Sequence, residues 1–241
     1  VKTISPVYLA LDFSSSNQAM AFLADHQLDD IPVKVGMELY FREGPAIIHK
    51  LKDKGHAIFL DLKLHDIPHT VYNTMVNLSK LDVDMVNIHA AGGSAMIQAA
   101  KSGLEDGSFE QRPLLTAVTQ LTSTDAMTFQ SENLTAHSIE EAVLHYADLA
   151  KHAGADGVVS AVGDVSLIKQ QCGSSFITVS PGIRLANDSM DDQKRVSDPG
   201  MAYEAGSDAI VVGRAVTRSA DPKDTYERIR KEFQNVPHTR R

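Results

Sequence analysis

Cysteine occurs once in this chain, at Cys172, so an intrachain disulfide is excluded, and no Cys/His cluster has the spacing of a structural zinc site. A reducing, cytoplasmic setting is expected. Apolar residues never run to 18 in succession, and Val1-Lys2-Thr3-Ile4 leads into a strand-like segment without a basic-then-apolar leader. Neither export nor membrane spanning is expected. Positive charge is also scarce: 23 Lys and Arg against 31 Asp and Glu give a net charge of −8. That balance argues against nucleic acid or an anionic membrane as partner, and admits an anionic small ligand only where positive charge is gathered locally. Finally, no Gly-x-Gly-x-x-Gly follows the first strand-like run, so the usual dinucleotide anchor of an open, doubly wound sheet is missing.

What is present is an alternation of short apolar runs with helix-length segments, the signal of parallel βαβ units. Eight runs stand out: Val7–Leu11, Val33–Gly36, Ala57–Leu62, Met85–His89, Leu114–Val118, Gly157–Ala161, Phe176–Val179 and Ala209–Val212. Most are continuously apolar rather than alternating, as in strands buried on both faces. Eight strands with helices between them in 241 residues match a (β/α)₈ TIM barrel, whose usual length is roughly 250 residues. A single barrel domain over residues 1–241 is therefore expected, with the open doubly wound sheet as competitor.

The intervening helices carry readable end signals. Ser138 and Glu141 form a capping box, after which Ile139, Ala142, Val143, Tyr146 and Leu149 mark an apolar face. Asp198-Pro199 and Asp221-Pro222 each set a capping carboxylate before a proline. A weak echo joins helices to strands at Lys54-Gly55-His56-Ala57, Ala153-Gly154-Ala155-Asp156-Gly157 and Ala205-Gly206-Ser207-Asp208-Ala209. Each reads as a glycine helix stop before a strand.

In a barrel the site lies at the C-terminal ends of the strands, and polar residues gather there. Asp12 ends the first run, Lys34 sits in the second, Asp61 and Lys63 end the third, and His89 ends the fourth. Thr122 follows the fifth, Arg184 the seventh and Gly213-Arg214 the eighth. The spacing Asp61-x-Lys63-x-x-Asp66 is the most telling. Residues two apart on a strand share a face, so Asp61 and Lys63 project together, with Asp66 in the loop beyond. A lysine inside Val33-Lys34-Val35 is costly to bury without a carboxylate partner, so Lys34, Asp61, Lys63 and Asp66 are expected to form an alternating charge network. A structural ion-pair network is the plain alternative.

A second group reads as a phosphate site. Gly213 lets backbone N–H groups approach an oxyanion, and Arg214 and Arg184 add charged forks from adjacent strands, where barrels often hold phosphate. Between them the polar stretch from Leu185 to Arg195 has no apolar period and is expected to be a lid, with Gln193 able to reach the ligand.

Taken in order, Leu9-Ala10-Leu11-Asp12, Val33-Lys34-Val35-Gly36, Asp61-Leu62-Lys63-Leu64-His65-Asp66-Ile67-Pro68, Leu121-Thr122-Ser123, Pro181-Gly182-Ile183-Arg184 and Val212-Gly213-Arg214 resemble the bacterial orotidine 5′-phosphate decarboxylase family over nearly the whole chain. His69 stands where the family pattern has asparagine. The resemblance implies decarboxylation of orotidine 5′-monophosphate to uridine 5′-monophosphate and CO₂ in de novo pyrimidine biosynthesis, without cofactor or metal. By that resemblance Lys63 is the proton donor, Asp61 faces the leaving carboxylate, and Asp66 and Lys34 complete the catalytic set. Asp12 and Lys34 then contact the ribose and Thr122 the pyrimidine, while Arg184, Gln193, Gly213 and Arg214 hold the phosphate. It also implies a homodimer in which Asp66 and Thr70 reach the neighbouring site. Two rivals remain: a sugar-phosphate decarboxylase or synthase that uses Mg²⁺, and a catalytically idle phosphate-binding barrel.

Overall fold

The computed structural model describes residues 1–185 and 197–235. Eight parallel strands close on themselves in chain order. They are β1 (Val7–Ala10), β2 (Val33–Gly36), β3 (Ile58–Leu64), β4 (Met85–His89), β5 (Leu114–Val118), β6 (Gly157–Val159), β7 (Ile177–Ser180) and β8 (Ala209–Val212). The seam between β1 and β8 completes the circle, with Val7 opposite Ile210 and Leu9 opposite Val212. The closed barrel replaces the open sheet as the architecture. All eight strands lie within two residues of their expected ends, and β3 runs on through Lys63 to Leu64 rather than stopping at Leu62.

Burial on both faces explains the continuous apolar runs. Tyr8, Ala10, Phe59, Met85, Leu114, Val118, Val159, Val179, Ala209 and Val211 fill the barrel interior. The alternate residues, such as Val7, Leu9, Val33, Val35, Leu60, Val86 and Ile210, pack outward against the helices. Each such side chain, fully buried, contributes roughly 1.5–3 kcal/mol. Tyr8 and Phe59 meet edge to face at 5.9 Å, and the Tyr8 hydroxyl accepts the Ser5 N–H at 3.0 Å, so the polar tip of a large core ring is satisfied.

The predicted capping box is present: Ser138 Oγ accepts from Glu141 N at 3.1 Å, and Glu141 Oε2 accepts from Ser138 N at 2.7 Å. The apolar face of that helix, Ile139–His152, differs from expectation. Its fully buried side is Ile139, Val143, Ala147 and Ala150, while Ala142, Tyr146 and Leu149 are half-buried at the flank. Small alanines allow the helix axis to approach the barrel, and the larger residues fit where the surfaces diverge. The three echo glycines, Gly55, Gly154 and Gly206, have φ of +84°, +93° and +89°, the left-handed region that ends a helix without a Cβ penalty. Asp198 and Asp221 cap their helices through Met201 N at 2.7 Å and Asp224 N at 3.0 Å.

An aspartate enters three of the strands with one repeated pattern. Asp84 N–H donates to Ile58 O at 2.9 Å while its Oδ2 accepts from Ile58 N at 2.6 Å. Asp156 does the same with Leu115, at 2.9 and 2.7 Å, and Asp208 with Thr178, at 3.0 and 2.7 Å. Asp156 also takes both Arg112 guanidinium nitrogens, at 2.6 and 2.7 Å. These clamps lie at the N-terminal ends of the strands, the end of a barrel concerned with stability. Asp156→Ala is expected to lower the unfolding free energy by about 3 kcal/mol, because it leaves a largely buried arginine with only the looser Glu105 contact at 3.8 Å to balance its charge. The melting temperature then falls by about 6–12 °C with kcat unchanged, measurable by calorimetry beside a turnover assay.

Candidate active site

At the opposite end, β3 departs from regular pairing. Leu60 pairs with Val86 and Leu64 with Ile88, so Asp61, Leu62 and Lys63 together face Asn87 alone. Lys63 takes φ of +51° to fit, uncommon for a residue with a Cβ. The bulge aims Lys63 at its neighbour: Lys63 Nζ donates to Asp61 Oδ1 at 2.6 Å. The two side chains meet, as their spacing predicts, but through this irregular backbone rather than simple strand alternation. Asn87 holds the irregularity on both sides, accepting from Lys63 N and donating to Asp61 Oδ1, each at 2.7 Å.

Lys34 extends the network. Its Nζ lies 3.2 Å from Asp61 Oδ2 and 3.2 Å from Asp12 Oδ1, the carboxylate partners its buried position requires. Burial alone pushes its ammonium downward, but Asp61 and then Asp12 outweigh it and hold the group above its usual value. Burial likewise tends to raise Asp61. The charges of Lys34 and Lys63, with hydrogen bonds from Lys63 and Asn87, prevail and keep the carboxyl below its usual range. Gly36 leaves space for the pair, since a Cβ there would lie 3.3 Å from Lys34 Nζ and 3.5 Å from Asp12 Oδ1.

The chain of charges is thus Asp12–Lys34–Asp61–Lys63, not Lys34–Asp61–Lys63–Asp66. Asp66 is exposed beyond the bulge, and its carboxylate accepts from the next N–H, Ile67, at 2.7 Å. Thr70, on the helix Pro68–Ser79, is exposed too. Neither lines the pocket that holds the other candidates.

That pocket has a volume of about 280 Å³. Asp12, Lys34, Asp61 and Lys63 form one side, and Arg184, Gly213 and Arg214 line it with the Thr122 segment. Phe59, Val118, Val159 and Val211 supply apolar surface, the mixture typical of small-molecule sites. Arg184 follows β7, where its Nη1 donates to Ile183 O at 3.0 Å, and Arg214 opens the short helix Arg214–Thr217 directly after Gly213. A Cβ on Gly213 would lie 3.6 Å from Ala10 Cβ and 3.9 Å from Asp12 Oδ2, ordinary contact distances that place this turn directly beside the charged network. His89 is half-buried, and its ring lies 5.8 Å from that of His65. Burial, then His65 and Lys63, holds its imidazole below the usual value against the pull of Asp61. Gln193 and the expected lid from residue 186 onward lie outside the described residues.

Sequence reasoning missed Asn87, Gln120 and Ser160 at or beside the pocket. Only Asn87 has a signal in the sequence, as an amide in the otherwise apolar centre of Met85-Val86-Asn87-Ile88.

Barrel and pocket together define a (β/α)₈ protein with a buried lysine–aspartate network and two arginines at the C-terminal mouth. Residues 5–229 match the Orotidine 5'-phosphate decarboxylase / HUMPS family, and the chain belongs to that family. It is 54% identical over 226 residues to an orotidine 5'-phosphate decarboxylase of Listeria innocua, covering 93% of this chain and 97% of the relative. To the protein of that name from Bacillus cytotoxicus it is 50% identical over 230 residues, covering 95% and 97%. A crystal structure of orotidine 5'-phosphate decarboxylase from Lactobacillus acidophilus superposes with a TM-score of 0.86 at 42% identity, covering 96% of this chain and all of that one.

Proposed function

We propose that this chain decarboxylates orotidine 5′-monophosphate to uridine 5′-monophosphate and CO₂, in pyrimidine biosynthesis and with no cofactor. The observation that carries the reading is the Asp12–Lys34–Asp61–Lys63 network, set in the same pocket as Arg184 and Arg214. The names borne by relatives about 50% identical support it.

Breaking the bond from C6 to the carboxylate leaves its electron pair on C6, where no adjacent carbonyl delocalises it. An ammonium held beside C6 stabilises that charge as it develops and then delivers the proton that replaces CO₂. Lys63 fills that role. Asp61 faces the departing carboxylate; two unit charges about 4 Å apart interact by roughly 4 kcal/mol at an effective dielectric near 20, so repulsion is a minor part of the acceleration. Preorganisation is the larger part, because the network is already built and need not reorient during reaction. Asp12 and Lys34 hold the ribose, Thr122 the pyrimidine, and Arg184, Gln193, Gly213 and Arg214 the phosphate. In a cytoplasmic homodimer, Asp66 and Thr70 complete the neighbouring site; their exposure in a single chain supports that role.

A Mg²⁺-dependent sugar-phosphate reaction would need a carboxylate free to bind the cation. Here Asp61 Oδ1 is taken by Lys63 and Asn87 and Oδ2 faces Lys34. Among the described residues this leaves Asp12 as the one pocket carboxylate with an oxygen turned from Lys34, and no three His, Cys, Asp or Glu side chains are grouped to hold a metal ion. Turnover of orotidine 5′-monophosphate, followed by ultraviolet absorbance, is therefore expected to continue at full rate in excess EDTA. No spectral change, or a rate abolished by the chelator, overturns the reading.

A further inference from the structure

We infer that Asn87 is a positioning residue for this reaction: its side-chain amide clips the β3 bulge so that the Lys63 ammonium and the Asp61 carboxylate are presented together to the substrate. The inference rests on the reaction proposed above. Asn87 is 1% exposed, between Val86 and Ile88 at 0%, where an unpartnered amide would be costly. Both halves of the amide are used. A peptide N–H can only donate, so Oδ1 must face Lys63 N, which turns the NH₂ toward the Asp61 carboxylate. The orientation is determined by chemistry, and no other side chain of similar size supplies an acceptor and a donor in that order.

The clip acts where the backbone is least comfortable. Lys63 sits at φ +51°, a conformation costing roughly 1–2 kcal/mol for a residue with a Cβ. The Asn87 bond to its N–H helps to hold it there. The second bond places Asn87 Nδ2 on the same oxygen, Asp61 Oδ1, that Lys63 Nζ contacts. One amide therefore sets the main chain of the proton donor and the carboxylate it leans on. Such strain at an observed outlier beside the chemistry is what a held catalytic geometry looks like.

Two variants test the clip against wild type in the same orotidine 5′-monophosphate assay. Asn87→Leu keeps the number and branching of side-chain heavy atoms and removes both hydrogen bonds. Asn87→Asp can still accept from Lys63 N but sets a second carboxylate against Asp61. Both are expected to bind uridine 5′-monophosphate with Kd within about threefold of wild type, because the arginines are untouched, while kcat falls by about 10²-fold, as small misplacements of reacting groups do. In Asn87→Asp the acid limb of the kcat profile also moves to higher pH, since an adjacent like charge favours protonation of Asp61. Lys34 from β2, Asp12 after β1, Lys63 on β3 and His89 on β4 are the other charged or titratable groups around Asp61, and all are the same in variant and wild type. A folded Asn87→Leu enzyme with kcat within threefold of wild type overturns the inference. So does a loss of product affinity in parallel with kcat in a folded variant, which marks general support of the pocket rather than a held geometry. If Asn87→Leu does not fold, Asn87→Ser, too short to make both bonds, carries the same expectations. An inactive wild type instead overturns the assigned reaction.

Discussion

Lys63→Ala is expected to lower kcat/KM for orotidine 5′-monophosphate by about 10⁵-fold or more while leaving the barrel folded. The size follows from what one ammonium supplies. General acid catalysis contributes typically about 10²–10⁴ and a preorganised charge about 10²–10³, and Lys63 is assigned both. A loss of about 10⁵ is roughly 7 kcal/mol of transition-state stabilisation. Folding is spared because Asp61 keeps Lys34 and Asn87 as partners, so its carboxylate is not left unpaired. Single-turnover kinetics on circular-dichroism-matched protein check this. A residual rate within about tenfold of wild type would remove Lys63 from the mechanism.

Arg214→Ala tests the other end of the pocket. The phosphate is remote from the bond that breaks, yet its binding energy can be used to order the charged network around the ring. Losing a charge-assisted fork costs about 3 kcal/mol, so kcat/KM for the nucleotide should fall about 10²-fold. The substrate without its phosphate supplies the control: turnover of orotidine is expected to change less than about twofold in Arg214→Ala. An equal loss on both substrates would mean that Arg214 supports the pocket rather than gripping phosphate.

Much of this was legible in the sequence because it depends on period and punctuation. Strands buried on both faces betray themselves as apolar runs, and Gly206 or the Ser138–Glu141 box mark helix ends through local chemistry alone. Lys34 was legible as a paired lysine, since burying an ammonium among valines admits few alternatives. The bulge was not. Residues Asp61 to Lys63 look like ordinary strand, and only the register against β4 reveals three residues facing one. For the same reason Asn87 passed as part of an apolar strand, and the charge network runs on from Lys34 to Asp12 rather than from Lys63 to Asp66. Contacts between strands far apart in sequence leave no period to read. The helix face at Val143 slipped by a residue because hydrophobicity ranks tyrosine and leucine above the alanines that the close approach selects.

The aspartate clamps have a consequence for how the barrel opens. Their carboxylate bonds join β3 to β4, β5 to β6 and β7 to β8, so the reinforced seams alternate with plain ones. Local opening should respect that pairing, with two-strand units behaving as foldons. In native-state hydrogen exchange, the amides of Ile58, Leu115 and Thr178, each held by a carboxylate, should exchange among the slowest at the lower rim. The barrel's circle would then come apart as a set of hairpin-sized wedges rather than as eight equal staves.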